Sequence, residues 1–385
     1  MRVDLEKVRA LLPDVINFRR DLHRIPEVGL ELPKTKEYVK EKLKSFGCDD
    51  PKEIGYGIIC DIGTPPFVAV RADMDALPME EKRDVPYRST HKGAMHACGH
   101  DAHTAVLLGL ARYLMDSHPP VGVRLLFQSG EEGFFGAVKL IEAGALEGVK
   151  IVIGEHVGSF LDAPEGAIIT KKGTFMASSD SFNVKFKGRG GHGSAPHAAL
   201  DPIAPAAQFV LALYSFRGRE MNQTHPFVST VTKFVSGTTF NVIPDVAEIA
   251  GTVRTVDEED RKKAARRIEE LARGIAQMNG LEIEFEYMWQ YRTLVNTDWV
   301  VDVLEGIAKE LAVPFVQLDT PIMGAEDFSY YLERVPGVFF FVNTANREKG
   351  IVEPNHSPYF EVDEEKLWIP LAVFVRFIEE MADKL

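Results

Sequence analysis

Short apolar runs that each end in metal-seeking polar side chains limit most strongly what this chain can fold into. "FVAV" (67–70) leads into "RADMD" (71–75), "VRLLF" (123–127) into "QSGEEG" (128–133), and "KIVIG" (150–154) into "EHV" (155–157). Together with "GIICDIG" (57–63), these runs alternate with stretches of helical spacing at 4–22, 34–46, 103–117 and 136–146. Unbroken apolar runs of strand length suit strands covered on both faces. Their alternation with helices predicts an α/β layer with a mainly parallel sheet. Ligands of open α/β sheets gather beyond the carboxyl ends of the strands. The order of the chain therefore delivers Asp73, the pair Glu131–Glu132 and His156 to one edge.

The pattern changes near residue 178. "DSFNVKFKG" has the alternating faces of a half-covered strand, and a glycine-rich loop, "GRGGHGSAPH" (188–197), follows it. Next come a helix at about 201–216, two strands ("FVSTVTKFVSG" and "AEIAGTVRT"), a long helix at about 257–279 and the strand "LEIEFEYM". The order β-α-β-β-α-β is that of ferredoxin-like units. The expected organisation is a discontinuous α/β domain, 1–177 and 290–385, carrying an inserted α+β domain at 178–289.

Composition excludes several classes. The 385 residues are 45% hydrophobic, enough for a sizeable core, yet no run approaches the 18 apolar residues of a membrane span. A formal charge of −13 disfavours nucleic acid. "RKKAARR" (261–267) reads as the solvated face of a helix. The first residues, "MRVDLEKVRALLPDV", lack the pattern of a secretory signal. Three cysteines, Cys48, Cys60 and Cys98, make no disulfide framework and suit a reducing compartment, so a cytoplasmic protein is expected.

"MHACGHDAH" (95–103) packs His96, Cys98, His100 and His103 into eight residues. Gly99 lets the backbone fold so that Cys98 and His100 face one centre, and these two are the expected ligands. Asp101 is placed as the N-cap of the following helix. His103 then lies in its first turn with a structural role, and His96 stands behind the ligands or outside the site. "EPNHSPYF" (353–360) adds His356 in a loop. In "EEG", one glutamate can bind metal while its neighbour takes a proton from water, as a general base must.

With these residues in view, the chain resembles the two-metal amidohydrolases of the aminoacylase and carboxypeptidase superfamily. Within it, the resemblance is to the branch of hippurate hydrolase, indole-acetyl-amino-acid hydrolase, N-acetyldiaminopimelate deacetylase and some archaeal carboxypeptidases. The matching stretches run from residue 19 to 360: "RRDLHRIPEVGLEL", "RADMDALPMEE", "MHACGHDAHTA", "GEEG", "KGRGGHGSAPH", "TTFNVIPD", "GTVRT", "MGAEDFSYYLE" and "NHSPYF". The resemblance implies that Cys98 bridges two divalent ions; thiolate, imidazole and carboxylate together suit zinc, nickel, cobalt or manganese. His100 and His156 complete the protein ligands of one ion, and Glu132 and His356 those of the other. Glu131 is then the general base for a bridging hydroxide. Asp73 is the carboxylate that orients a ligand, although Arg71 stands where a histidine is usual.

The same resemblance implies that His192 of "GGHG", or His197, stabilises the oxyanion. Asn241 and Arg254 then clamp a substrate carboxylate, and Gly324 and Glu326 line the substrate pocket. From the residues alone, the two histidines read as loop positions, Asn241 as a turn residue and Arg254 as an exposed strand arginine. The implied activity is hydrolysis of N-acyl-L-amino acids. A metallo-carboxypeptidase or dipeptidase and a non-catalytic metal-binding protein are the alternatives. The implied partners are a small N-acyl amino acid or short peptide and a second copy of the chain, in a homodimer or higher homo-oligomer built through the inserted lid domain. Departures from the branch include "QSGEEG" for "QPAEEG" and "EHV" for "LHV", which puts Glu155 beside a ligand.

Overall fold

Apolar side chains on both faces of a strand have to be covered from both sides, and the central strands show this directly. In the structure, a computed structural model that describes residues 4–48 and 50–385, the strands Phe67–Asp73, Gly122–Gln128 and Gly337–Asn343 are buried along their whole length. They belong to an eight-stranded sheet. Its order is Lys52–Ile54, Gly57–Ile62, Gly122–Gln128, Phe67–Asp73, Val149–Gly158, Gly337–Asn343, Ile168–Thr170 and Phe315–Gln317. Phe67–Asp73 pairs in parallel with both of its neighbours, and Gly337–Asn343 in parallel with Val149–Gly158. The hairpin of the first two strands joins antiparallel to Gly122–Gln128. The sheet is mixed and mainly parallel in its centre, as expected.

The helix His100–Ser117 is apolar almost all round, with Ala105, Val106, Leu107, Leu108, Leu110 and Leu114 buried. Such a helix belongs inside a core rather than on a surface. It is covered in turn by the helix Trp368–Ala382, whose Leu371, Val375 and Ile378 are buried in the same cluster. Among the described residues, no helix is long and apolar enough to cross a membrane.

The chain divides into two compact units. One comprises the chain up to Gly173, Val295–Asp319 and Asp327–Leu385; the other comprises Thr174–Leu294 and Thr320–Glu326. The second unit starts earlier and ends later than 178–289, and it takes in a short later segment that local patterning does not reveal. Its four-stranded sheet has the order Phe227–Ser236, Val246–Thr255, Asp180–Lys187 and Glu282–Trp289, every pair antiparallel. Asp180–Lys187 alternates buried and half-buried residues, and Phe182, Val184 and Phe186 pack under the helices Ile203–Arg219 and Glu258–Met278. This is the β-α-β-β-α-β unit that the period-2 pattern indicates.

Two expectations are corrected. Cys48 and Cys60 are joined in a disulfide, which leaves Cys98 as the free cysteine. The pairing removes the support that the cysteine count lent to a reducing compartment. The basic run 261–267 is not wholly a solvated face. Arg261 is buried, and its guanidinium donates to both oxygens of Asp180 at 2.8 and 2.7 Å. Tyr287 Oη and the Gln290 backbone N–H also donate to Asp180. Breaking a buried ion pair strands the remaining charge, at about 3–5 kcal/mol. Asp180→Ala is therefore expected to destabilise the protein by about that amount in chemical denaturation, whereas Lys262→Ala on the exposed face stays within about 0.5 kcal/mol. Equal effects of the two substitutions would refute the assignment.

Candidate metal centre

Four separated stretches bring their donors to one place in the first unit. The ligand atoms of Cys98, His100 and His156 lie within 4.8 Å of one another, and so do those of Cys98, Glu132 and His356. The Cys98 thiol belongs to both groups. His156 Nε2 and His356 Nε2 each lie 3.3 Å from its Sγ, and His356 Nε2 lies 3.1 Å from Glu132 Oε1. His100, Glu131 and Glu132 form a further group on the same scale. Exposure rises across the cluster, from the fully buried His100 to the His356 side chain at 55%.

The backbone explains this convergence. Cys98 and His100 flank Gly99, whose φ of 95° caps the helix His100–Ser117. A Cβ on Gly99 would stand 2.6 Å from Val157 Cγ2, so both the turn and the packing require glycine. Asp101, expected as N-cap, lies instead inside the first turn, because the helix already begins at His100. Its carboxylate takes hydrogen bonds from Arg19 Nε and His23 Nδ1. His356 has a φ of 68°, rare for a side chain of this size and frequent at functional sites. Its backbone N–H donates to the Ala97 carbonyl. Asn355 Nδ2 donates to the carbonyls of Cys98 and Val157, tying the His356 loop to the cysteine turn.

Hydrogen bonds on the far side of each ring aim the free nitrogens inward. His100 Nδ1 lies 2.8 Å from the Asp75 carbonyl, and His156 Nδ1 lies 2.8 Å from the Val157 carbonyl. In both rings Nδ1 carries a proton toward a carbonyl, and Nε2 faces the cluster. Among the described residues, His100 Nε2 is buried with no hydrogen-bond partner, as suits a nitrogen that ligates a metal. This orphaned nitrogen and the shared thiol fit a pair of divalent ions.

The remaining histidines of "MHACGHDAH" are placed differently. His103 Nε2 accepts the Val157 N–H, and its Nδ1 lies 2.6 Å from Asp73 Oδ1, so it braces the strand that carries His156. Among the described residues, neither ring nitrogen of His96 has a hydrogen-bond partner, and burial pushes its pKa down to about 3. Asp73 bonds His103 and Arg71, and its Oδ2 lies 3.7 Å from His100 Nε2. Arg71 spans Asp73, Gln128 and Asp327, an ion-pair group that replaces the usual histidine. Glu155, the departure from the branch, has neither carboxylate oxygen hydrogen-bonded, and burial raises its pKa to about 7.

Charge around the centre is mostly negative. Burial and the carboxylates of Glu132 and Glu131 hold the Cys98 thiol protonated well above the ordinary thiol range. His100 loses some basicity to burial, but Asp73 and Asp75 more than reverse this and raise it to about 10.

His192, His197, Asn241, Arg254, Gly324 and Glu326 belong to the second unit. His192 and Asn241 lie together there. His192 pairs with Val242 across a two-stranded ribbon, and the Gly193 N–H donates to the Asn241 carbonyl. His192 Nδ1 accepts from the Ser194 N–H. His197 lies in the short 3₁₀ turn Pro196–Ala198. Arg254 is half-buried on the face of Val246–Thr255 away from the core, and burial lowers its pKa. Reasoning from sequence passed over Asp75 and Asn355, although the second carboxylate of "RADMD" and the asparagine before His356 were visible signals.

Residues 69–380 match peptidase family M20/M25/M40. The chain is 40% identical to thermostable carboxypeptidase 1 of Saccharolobus solfataricus, over 94% of this chain and 93% of that protein. It is 38% identical to N-acetyl-L-cysteine deacetylase of Bacillus subtilis, over 92% and 85% of the two chains. Among solved structures, it is similar to a dinuclear metal-binding peptidase of family M20 from Bacillus subtilis. That comparison gives a TM-score of 0.83 and 33% identity, over 98% and 99% of the two chains. With a family match that spans most of its length, the chain belongs to peptidase family M20/M25/M40 and is a metal-dependent amidohydrolase.

Proposed function

We propose that this enzyme hydrolyses the amide bond of N-acyl-L-amino acids at a two-metal centre held by Cys98, His100, Glu132, His156 and His356. The observation that carries the reading is the membership of one thiol, Cys98, in two donor groups. Thiolate, imidazole and carboxylate together suit zinc, nickel, cobalt or manganese. Divalent ions at such a centre supply a Lewis acid for the carbonyl and acidify water.

The side chains do the rest. Glu131, buried beside Glu132, takes the proton of the attacking water and passes it to the leaving nitrogen. His192, or His197, contributed by the second unit of the same chain or of a partner copy, donates to the oxyanion. The fork of Arg254 and the amide of Asn241 hold the substrate carboxylate, and Gly324 leaves room for the acyl group. A second reading, cleavage of short peptides from the carboxyl end, is favoured by the 40% identity to a carboxypeptidase. The machinery is the same, and only the acyl group differs.

We also propose a homodimer formed through the second unit. Phe227–Ser236 is an edge strand, with Phe234 and Val235 exposed on it and Leu211 and Tyr214 exposed on the helix Ile203–Arg219. Such an edge is a template for pairing with a second copy. Sedimentation equilibrium is expected to give twice the chain mass, and Val235→Lys should shift the protein toward monomer. A monomeric wild-type protein would sink the dimer.

A screen of N-acetyl and N-benzoyl amino acids against dipeptides, with metal supplied, tests the activity and separates the two readings. In the same assay, Glu131→Gln is expected to keep its metal and lose about a hundredfold or more in kcat. A variant with near-normal turnover would show that Glu131 is not the base. Metal uptake has its own signature, because ions must displace the protons that His100 and Cys98 hold. Both pKa values are raised, that of His100 to about 10, so affinity should climb as the pH rises toward about 10 with protons released, as read by calorimetry in buffers of different ionisation enthalpy. Uptake without proton release would contradict this assignment.

A further inference from the structure

The turn that carries Glu131 and Glu132 cannot satisfy its own backbone. Its residues Gly130 and Gly133 have φ values of 71° and 86°. Its own carbonyls serve other amides: Glu131 O accepts the Gly133 N–H, and Gly130 O accepts the Gly136 N–H. The successive amides of Glu131 and Glu132 point away from the turn and need an acceptor from elsewhere in the chain.

Asp75 is that acceptor. The parallel pairing of Phe67–Asp73 with Gly122–Gln128 ends at Asp73 and Gln128, and the Met74 N–H extends it by donating to Gln128 O. This sets Asp75 opposite the turn. Asp75 Oδ1 accepts the Glu131 N–H at 2.9 Å, and Oδ2 accepts the Glu132 N–H at 3.0 Å. The backbone carbonyl of the same residue lies 2.8 Å from His100 Nδ1. Asp75 is buried, and the next residue is anchored by its N–H to the Glu27 carbonyl. Asp73 has no such reach, since its carboxylate is engaged with Arg71 and His103.

We infer that Asp75 is the positioning residue of the whole centre: one side chain fixes the base and one metal ligand, and its backbone fixes another ligand. The inference rests on the roles proposed for Glu131, Glu132 and His100. His100 and Glu132 are assigned to different ions, so Asp75 couples the two sites. A disturbance there reaches both ions and the base together, whereas loss of a ligand assigned to one ion alone, such as Glu132, empties mainly one site.

Asp75→Asn tests this. The amide keeps one acceptor oxygen and turns an NH₂ toward the other backbone N–H. Cobalt(II) titration with metal analysis is expected to show affinity lowered by about tenfold or more at both sites. Turnover should fall by a similar factor while KM changes little. Ser129→Ala is the comparator. It removes the bond from Ser129 Oγ to the Tyr56 carbonyl in the same turn without touching the amides of Glu131 and Glu132. It should lower Tm while leaving metal affinity and kcat near wild type. The inference is overturned if Asp75→Asn binds both ions and turns over like wild type, or if Ser129→Ala reproduces its losses. Should Asp75→Asn fail to fold, hydrogen exchange in the wild-type protein decides. The amides of Glu131 and Glu132 should be protected relative to that of the exposed Glu348, and equal exchange would refute the hydrogen bonds. An active Glu131→Gln variant would remove the base assignment, and the metal titration of Asp75→Asn would still test the coupling of the two sites.

Discussion

A thiol with little access to solvent, held 3.3 Å from each of two imidazole nitrogens, is the constraint on which the rest of this centre depends. Burial and flanking carboxylates keep a proton on that sulfur as long as no cation is near. Only a strong local positive charge makes the thiolate stable there. The surrounding backbone serves to hold this unfavourable arrangement. Gly99 permits the turn, His356 adopts a left-handed conformation to reach the sulfur, and Asn355 ties the two loops together. These features are costly for folding and are intelligible once they converge on one atom.

Around the cluster, polar interior groups are matched with care. Arg71 neutralises Asp73 and Asp327 beneath the sheet edge, and Gln128 gives both of its amide donor bonds to Asp327. Asp327 is consequently held between burial, which raises its pKa, and Arg71, which lowers it; the outcome is about 6. Arg71 is thereby part of the scaffold, and Asp73 braces His103. Glu155 is an exception, as His96 is, since its carboxylate oxygens have no hydrogen-bond partner among the described residues. We have no physical account of it.

Much of this could be read in the chain before its structure. Strand ends were legible because apolar runs stop abruptly at Asp73, Gln128 and Glu155, and the sheet brings those ends side by side. The inserted unit was legible because Asp180–Lys187 alternates with period 2, whereas the core strands do not. What stayed hidden depends on contacts between distant residues. Asp75 meets amides 56 and 57 positions away, and Arg261 meets Asp180 81 positions away. The Cys48–Cys60 pairing and the segment Thr320–Glu326 are likewise set by tertiary placement rather than local pattern. The cap was misplaced by two residues, because Gly99 with positive φ starts the helix before Asp101, where a side-chain cap was expected.

The central claim is that one sulfur holds two ions, and metal titration of Cys98→Ala tests it most directly. The account predicts that both sites lose affinity together in this variant, while Glu132→Ala weakens mainly one. Two ions bound by Cys98→Ala as tightly as by the wild-type protein would contradict it.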